Sequence, residues 1–196
     1  MISRLRGTLL SREEEVVEVA TPGGVVYELD VPLSVAERLP PVGEEVELRT
    51  VLLVREDQHA LFGFHGEGER ALFRRLLTVK GVGAKVAVGM LSAYAAPRLV
   101  QILVEGNVPA LTQVSGIGKR TAERIVLELS DRVGDLEAQL GAESGGATPN
   151  EAQSAVHALT ALGMSFQEAD RAVRAVLDGS GELASAEIIR KALANR

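Results

Sequence analysis

Apolar and polar residues alternate along the first third of the chain and follow a helical spacing along the rest. The alternation is clearest over residues 45–54, where Val46, Leu48, Thr50, Leu52 and Val54 share one face. This period of two predicts a half-buried β-strand. Four other stretches are bounded by turn residues and also read as strands: 1–10, 15–21, 25–31 and 59–64.

Five short strands with one or two helical turns over 34–39 predict an OB-like β-barrel for residues 1–64. Barrels of this type often bind single strands through stacking aromatic residues and a basic groove. This segment has few aromatic residues and an excess of acidic ones. We therefore do not expect the barrel face to be a nucleic-acid platform.

Beyond residue 69 the apolar spacing becomes helical, and one short pattern occurs twice. Residues 76–85 read LLTVKGVGAK and residues 111–120 read LTQVSGIGKR. An offset of 35 residues aligns Gly81 with Gly116 and Lys85 with Arg120. This is an internal duplication, and it predicts helices entering and leaving each Gly-x-Gly corner.

Each corner has the chemistry of an anion site. Glycine allows a tight backbone path and leaves no side chain to hold a ligand away, and the next helix begins with free N–H groups and the positive end of its dipole. The pattern resembles the helix-hairpin-helix module, which binds the nucleic-acid backbone without reading bases. The candidate DNA-backbone-binding residues are Lys80, Gly81, Val82, Gly83 and Lys85 in the first copy and Ser115, Gly116, Ile117, Gly118, Lys119 and Arg120 in the second.

Gly118-Lys119 also looks like the end of a P-loop, but the rest of that motif is missing. Arg120 stands where a metal-binding Ser or Thr is required, and Gln113 stands where the first glycine belongs. We therefore expect no nucleotide hydrolysis by this chain.

The net charge of −6 hides a segregation of charge along the sequence. Residues 1–69 carry 6 Lys and Arg against 14 Asp and Glu, residues 70–135 carry 10 against 5, and residues 136–196 carry 5 against 8. Only the duplicated segment is basic. The electrostatic footprint of a nucleic-acid-binding surface thus falls on the phosphate-binding motif.

Other classes of site find little support in the composition. The chain has no cysteine and three histidines without metal-ligand spacing, so we expect no disulfide, no metal and no cofactor. No signal peptide and no long apolar run are present. The expectation is a cytoplasmic protein that does not act at a membrane.

The last part of the chain divides into a linker and a small helical domain. Residues 137–149 are rich in small and polar residues and predict a flexible linker. Residues 150–196 predict three short helices similar to ubiquitin-associated-type domains, with a capping box at Ser165-x-x-Glu168. An acidic domain on a tether suits a protein partner better than DNA. Its candidate contact residues are Leu162, Met164 and Ile189, each of which also suits the core.

The turn between the last two barrel strands carries Arg55, Glu56 and Asp57. Acidic residues are common in turns, because Asp favours turn geometry and solvent. They are also suited to form an acidic pin that repels phosphates beside a DNA-binding surface. The residues alone favour the first interpretation.

Several motifs together resemble the RuvA family of bacterial Holliday-junction-recognition subunits. They are MISRLRG at 1–7, VRED at 54–57, LFGF at 61–64, KGVGAK at 80–85 and GIGKRTAER at 116–124, and the resemblance covers all three segments. It departs from the family only mildly, in a short linker and in Ala84, where a proline is often found. It implies a barrel over 1–64, a tandem helix-hairpin-helix domain over 65–136, the linker, and a motor-binding domain over 150–196.

The resemblance also implies partners and favours the pin interpretation. A four-fold homotetramer, or two of them, would hold an open four-way junction with the pins at the crossover, and Arg55 would help to hold the central phosphates. Eight hairpins in a tetramer would match the eight strands of four arms. The C-terminal domain would recruit the hexameric ATPase RuvB, and the family also contacts the resolvase RuvC. The chain itself would be non-catalytic.

Two alternatives remain at the level of sequence. A helix-hairpin-helix DNA glycosylase needs a catalytic Asp or Lys after the hairpin, and Asp131 and Asp135 follow the second hairpin. A general DNA adaptor without junction preference would need only the hairpins themselves.

Overall fold

The computed structural model of the chain describes residues 2–56 and 59–143. In the C-terminal part it describes residues 155, 158, 159, 164, 169, 171–173, 176 and 185–194. Met1–Glu143 form one compact unit and Ser144–Arg196 form a second.

Five strands form a closed barrel in the order β1-β2-β3-β5-β4. Their bounds are β1 Arg4–Glu13, β2 Val16–Ala20, β3 Val26–Asp30, β4 Glu45–Val54 and β5 His59–Phe64. Neighbouring strands pair antiparallel except β3 and β5, which run parallel. The OB-like barrel predicted from the alternation is confirmed.

The alternation seen in the sequence sorts residues between the barrel core and the outside. On β4, Val46 and Leu48 are buried while Glu45 and Glu47 are exposed. β1 ends three residues later than predicted, because a bulge between Leu9 and Ser11 lets the strand continue into its pairing with β2.

Helices account for the rest of the first unit. Their bounds are α1 Leu33–Ala36, α2 Glu67–Leu76, α3 Ala84–Ala93, α4 Ala96–Val104, α5 Val108–Leu111, α6 Lys119–Leu129 and α7 Asp135–Glu143, with a 3-10 turn at Ser130–Arg132 between the last two. No single helix among the described residues has the length and hydropathy to span a membrane, and the one pair that meets those criteria together, α3 with α4, is bent by 101°.

The barrel and the hairpin helices have separate hydrophobic cores, and a few barrel residues belong to the helical one. Leu61 of β5 faces the barrel interior, whereas Phe62 and Phe64 belong to the core of the helical region. The ring of Phe73 on α2 lies 5.1 Å from Phe62 and 4.9 Å from Phe64, measured between ring centroids. β5 is therefore buried on both faces, and it fixes the barrel against the helices.

Polar contacts add to this attachment. Ser34 of α1 donates to the Leu91 carbonyl of α3 at 2.8 Å, and the Leu33 N–H donates to Ser92 Oγ at 3.0 Å. Glu69 of α2, only 7% exposed, pairs with Arg38 and accepts a 2.9 Å hydrogen bond from the His65 N–H. These contacts restrain the barrel relative to the first hairpin.

The predicted linker begins too early. Residues 137–143 belong to α7, whose Leu136 and Leu140 are each 1% exposed and pack into the helical core. Arg75 on α2 also forms an ion pair with Asp135 at the start of this helix. Two apolar residues four positions apart are too short a pattern to predict a helix from sequence. The packing of these two residues against the other helices stabilises α7. Residues 144–149 lie outside the described part of the chain.

The C-terminal unit has its own core, which includes Ala155, Leu159, Val173 and Ile188. Its last helix, α8, spans Ser185–Ala194. The described positions in 155–159 and 169–176 are helical. The Ser165-x-x-Glu168 capping box lies outside the described residues.

Candidate nucleic-acid interface

The duplicated corners have the same backbone conformation. Gly81 has φ 96° and Gly116 has φ 85°, values that side-chain-bearing residues rarely adopt. Two residues later, Gly83 has φ −92° and ψ 174°, and Gly118 has φ −84° and ψ 165°. The internal repeat predicted from sequence is therefore a repeat of backbone geometry.

The residue between the two glycines packs inward in both corners. The side chains of Val82 and Ile117 are only 6% and 5% exposed. The Val82 N–H donates to the Val79 carbonyl at 3.0 Å, and the Ile117 N–H donates to the Val114 carbonyl at 3.1 Å. Both residues therefore fix the turn to the core, and their N–H groups are already engaged within the turn.

The free donors lie one step further along, at the start of the next helix. Ala87 N–H donates to Gly83 O at 2.9 Å, and Ala122 N–H donates to Gly118 O at 3.0 Å; these are the first bonds of α3 and α6. The preceding N–H groups in each helix have no partner within it. Because the helix caps are glycines, no cap side chain accepts these hydrogen bonds.

Among the described residues, none crowds the two cap glycines that precede these donors. A Cβ built on Gly83 or Gly118 would meet no heavy atom within 4 Å. Packing within the chain therefore does not require glycine at either position, and neither backbone angle is strained. Neither helix has an acidic residue in its first turn. Each corner is an open cradle of amide donors at a positive helix end, the arrangement that binds phosphate.

Cations surround both cradles. Lys80, Lys85, Lys119 and Arg120 are all exposed. Lys119 lies 4.0 Å from Glu123 on the same helix, and an exposed pair of this kind is weak. Within residues 2–56 and 59–143, no acidic side chain forms an ion pair with the other three, which leaves their charge available for a ligand.

The two corners contact each other. A Cβ on Gly116 would lie 3.6 Å from Val86 Cγ2, and one on Gly89 would lie 3.8 Å from Val114 Cγ1. Arg124 on α6 completes the contact by donating from Nη1 to the Lys80 carbonyl at 3.2 Å.

Arg124 was not among the residues selected from sequence, although it lies within the second motif. The available signal was a break in the repeat. An offset of 35 places Gly89 opposite Arg124, so only the second copy carries this side chain.

The pin residues are only partly described. Arg55 and Glu56 follow β4 and are exposed, whereas Asp57 lies outside the described residues. An acidic pin at this turn therefore stays a prediction.

Of the three residues predicted to contact a protein partner, two are described. Met164 and Ile189 are half-buried and pack against the core of the C-terminal unit, while Leu162 lies outside the described residues. Leu193, one helical turn after Ile189, is 41% exposed. It was missed in the sequence, where its spacing fits the core as well as the surface.

The two acidic residues that follow the second hairpin lie in a 3-10 turn and at the start of a helix. Asp131 lies in the 3-10 turn after α6. Asp135 accepts a 2.7 Å hydrogen bond from Arg75 Nη2, and this bond lowers the pKa of its carboxyl group. A lowered pKa makes the carboxylate a poorer proton acceptor. No group of three or more potential metal ligands occurs among the described residues.

Comparison with known protein families identifies all three segments. Residues 1–63 match the RuvA N terminal domain, residues 73–131 match a SAM-like helix-hairpin-helix tandem, and residues 150–195 match the RuvA C-terminal domain.

Full-length relatives share a single description. Proteins from Gemmatimonas aurantiaca (44% identical, 98% of this chain and 97% of the relative), Pseudomonas putida strain W619 (44%, 98% and 97%) and Laribacter hongkongensis (43%, 99% and 99%) are each described as a Holliday junction branch migration complex subunit RuvA.

Proposed function

Because the chain belongs to the RuvA family, we propose that it is the non-catalytic DNA-binding subunit of a branch migration complex and holds four-way junctions open. The observation that carries this proposal is the pair of open amide cradles at Gly83 and Gly118, flanked by exposed cations. These groups bind the sugar-phosphate backbone and are indifferent to base sequence. A subunit that stays on a moving junction has to bind the backbone and has to accept any base sequence.

The charge distribution supports a junction over a continuous duplex. The basic cradles lie in the same compact unit as a barrel whose segment carries 14 acidic residues against 6 basic ones. Glu56 is exposed at the turn after β4. Four such turns in a homotetramer, or eight in two tetramers on one junction, meet at the crossover and repel the phosphates of a duplex that would otherwise continue straight through it. Arg55 beside each turn holds the central phosphates.

The C-terminal unit recruits the motor. It forms a compact unit separate from the DNA-binding one, and the exposed Leu193 on α8 offers an apolar contact beside the half-buried Ile189. The partner is the hexameric ATPase RuvB, and the same complex meets the resolvase RuvC in the cytoplasm. Deleting residues 144–196 should leave junction binding intact and abolish stimulation of the ATPase. Loss of DNA binding on deletion would contradict this division of roles.

Junction preference is the direct test of the proposal. A gel-shift titration should compare a four-way junction with a linear duplex of equal length and composition at several matched salt concentrations, since phosphate-driven affinity varies steeply with ionic strength. We expect tighter binding to the junction at every salt concentration. Equal affinity for both substrates would favour the general adaptor, and release of a base from damaged duplex would favour a glycosylase.

A further inference from the structure

A cavity of about 840 Å³ lies between the barrel and the two hairpin corners. Glu15 and Asp30 line its barrel side, and Arg55 lines it at the base of the pin turn. Gly83 and Gly116 line its hairpin side. The cavity therefore adjoins the first cradle, the second corner and the pin, and its volume lies within the range of roughly 300–1,000 Å³ typical of small-molecule sites.

The lining combines an apolar part with a charged rim. Leu53, Ala60, Phe62 and Val88 supply aliphatic and aromatic surface. These residues belong to the helical core or pack against it, so the apolar wall is continuous with that core. A largely apolar wall with a few polar groups is the usual composition of a site for a small organic group.

The polar groups offer both donors and acceptors. Lys85 and Arg55 supply donors, and Glu15 and Asp30 supply carboxylate acceptors. Ser92 donates to Glu15 and fixes its orientation. Burial first, and then the neighbouring carboxylates of Glu28 and Glu15, raise the pKa of Asp30, so added negative charge is unfavourable at this side of the cavity.

The carboxylates of Glu15 and Asp30 determine which part of a nucleic acid can enter the cavity. Glu15 and Asp30 would repel a phosphate from the barrel side of the cavity, whereas Gly83 and Lys85 attract it to the hairpin side. A nucleobase carries no charge, presents amino and imino donors to carboxylates, and covers apolar surface with its ring faces. The sugar-phosphate backbone therefore stays on the cradle, while the cavity suits the base attached to it.

We propose that this cavity receives an unpaired nucleobase of a junction strand whose phosphates lie on the first hairpin. The inference rests on the proposed function, because bases lose their partners where strands exchange at a crossover. Taking up such a base next to the pin lowers the cost of opening a pair, as enzymes do when they accommodate a base taken out of the stack.

The test uses four-way junctions with 2-aminopurine, a base analogue that brightens when it leaves the base stack, placed at successive positions from the crossover. With the full-length protein we expect brightening at a position near the crossover and protection of that signal from the solvent quencher acrylamide. Ala60→Leu places a larger side chain in the cavity and should remove most of the brightening and of the protection. Ala84→Leu fills the same cavity from α3, and it provides a second variant if the strand substitution impairs folding.

Ala93→Leu is the matched control, because Ala93 is an exposed residue of α3 that does not line the cavity. It should behave like the unchanged protein. The proposal would be overturned if no position brightened, as would happen if a side chain of a neighbouring subunit occupied the cavity. It would also be overturned if both cavity-filling variants gave the same protected signal as the unchanged protein. The same junctions in gel shift report junction preference separately. Preference without a protected base rejects only the cavity, whereas absence of preference rejects the proposed function.

Discussion

Arg124 Nη1 donates to the Lys80 carbonyl at 3.2 Å and so joins the helix of the second hairpin to the corner of the first. The two cradles are formed by separate segments, and their spacing has to match the spacing of phosphates on DNA. A side chain that spans from one corner to the other restrains that spacing. Since the Arg124 fork reaches a backbone oxygen, its role differs from that of a cation that simply faces the ligand.

Replacing Arg124 with Ala should weaken junction binding by about 1 kcal/mol, a factor of about five, the usual contribution of one hydrogen bond. Arg124→Lys is the matched variant, because it keeps the charge and loses the planar fork. We expect the lysine variant to recover only part of the affinity in a gel-shift titration. Full recovery would mean that charge alone matters and that the link between the corners does not.

Placing serine at the cradle caps, as Gly83→Ser or Gly118→Ser, should separate folding from binding. Serine is a good helix cap and neither site is crowded, so the free energy of unfolding should change by only a few tenths of a kcal/mol. The serine hydroxyl would accept hydrogen bonds from the N–H groups that a phosphate needs, and it would occupy the open space beside the helix cap. Junction affinity should therefore fall by about 1 to 2 kcal/mol, a factor of about 5 to 30.

Gly134→Ser is the control for the cap substitutions. Gly134 precedes α7, and a Cβ there also meets no heavy atom within 4 Å. It places the same residue at a helix start that is not part of a hairpin corner, and junction binding should be unaffected. If all three serine variants bind the junction as well as the unchanged chain, the cradles are not the phosphate sites.

Removing cations at the cradles, as Lys85→Ala and Lys119→Ala, should weaken binding to every DNA sequence alike. Each lost phosphate contact should flatten the plot of log affinity against log salt by about one unit. Arg6→Ala is the control, because Arg6 pairs with Glu45 on the barrel. A change in sequence preference, or an unchanged salt slope, would contradict backbone binding by these lysines.

Neutralising the pin turn, as Glu56→Gln with Asp57→Asn, should raise affinity for linear duplex, since repulsion of its phosphates would be lost. Affinity for the junction should change less, so the ratio of junction to duplex affinity should fall. Glu44→Gln removes an exposed acid from a different loop and should leave the ratio unchanged. Unchanged duplex affinity in the double variant would reject the pin.

The sequence predicted those parts of the molecule that rest on a local pattern. Alternation predicted β4, which buries Val46 and Leu48 in the barrel and exposes Glu45 and Glu47, and the turn residues that bound the other four apolar stretches predicted the remaining strands. The glycine repeat predicted both corners, because φ values of 96° and 85° strongly favour that residue. Both features are encoded within about ten consecutive residues, so one sequence without relatives is enough to find them.

Contacts between distant segments were not predictable in this way. α7 depends on Leu136 and Leu140 reaching a core built by other helices. The Arg124 link spans 44 residues to a backbone carbonyl, which has no sequence signature. The hydrogen bonds within the two corners could not be predicted from sequence either. Only the structure shows that the N–H groups of Val82 and Ile117 are already bonded there.

His65 lies where the barrel meets α2, and it should make folding sensitive to acid. Its Nε2 lies 3.1 Å from the Val35 carbonyl, which can only accept, so the neutral ring donates there. Burial first, and then the nearby Arg38 guanidinium, lower the pKa of His65 below its ordinary value of 6.5. The unfolded chain therefore takes up this proton before the folded one does.

Stability contributed by the neutral ring should be fully present above pH 6.5 and should fall as the pH drops from there through the lower folded-state pKa. Urea denaturation of the full-length protein at about pH 8 and about pH 5.5 compares stability above and below the ordinary pKa of histidine. His65→Gln keeps a polar side chain without the titration, so it should lose less stability on acidification than the unchanged protein. His59→Gln removes an exposed histidine from β5 and should keep the full acid sensitivity. An equal loss of stability on acidification in the His65 variant and the unchanged protein would show that this histidine does not titrate against folding.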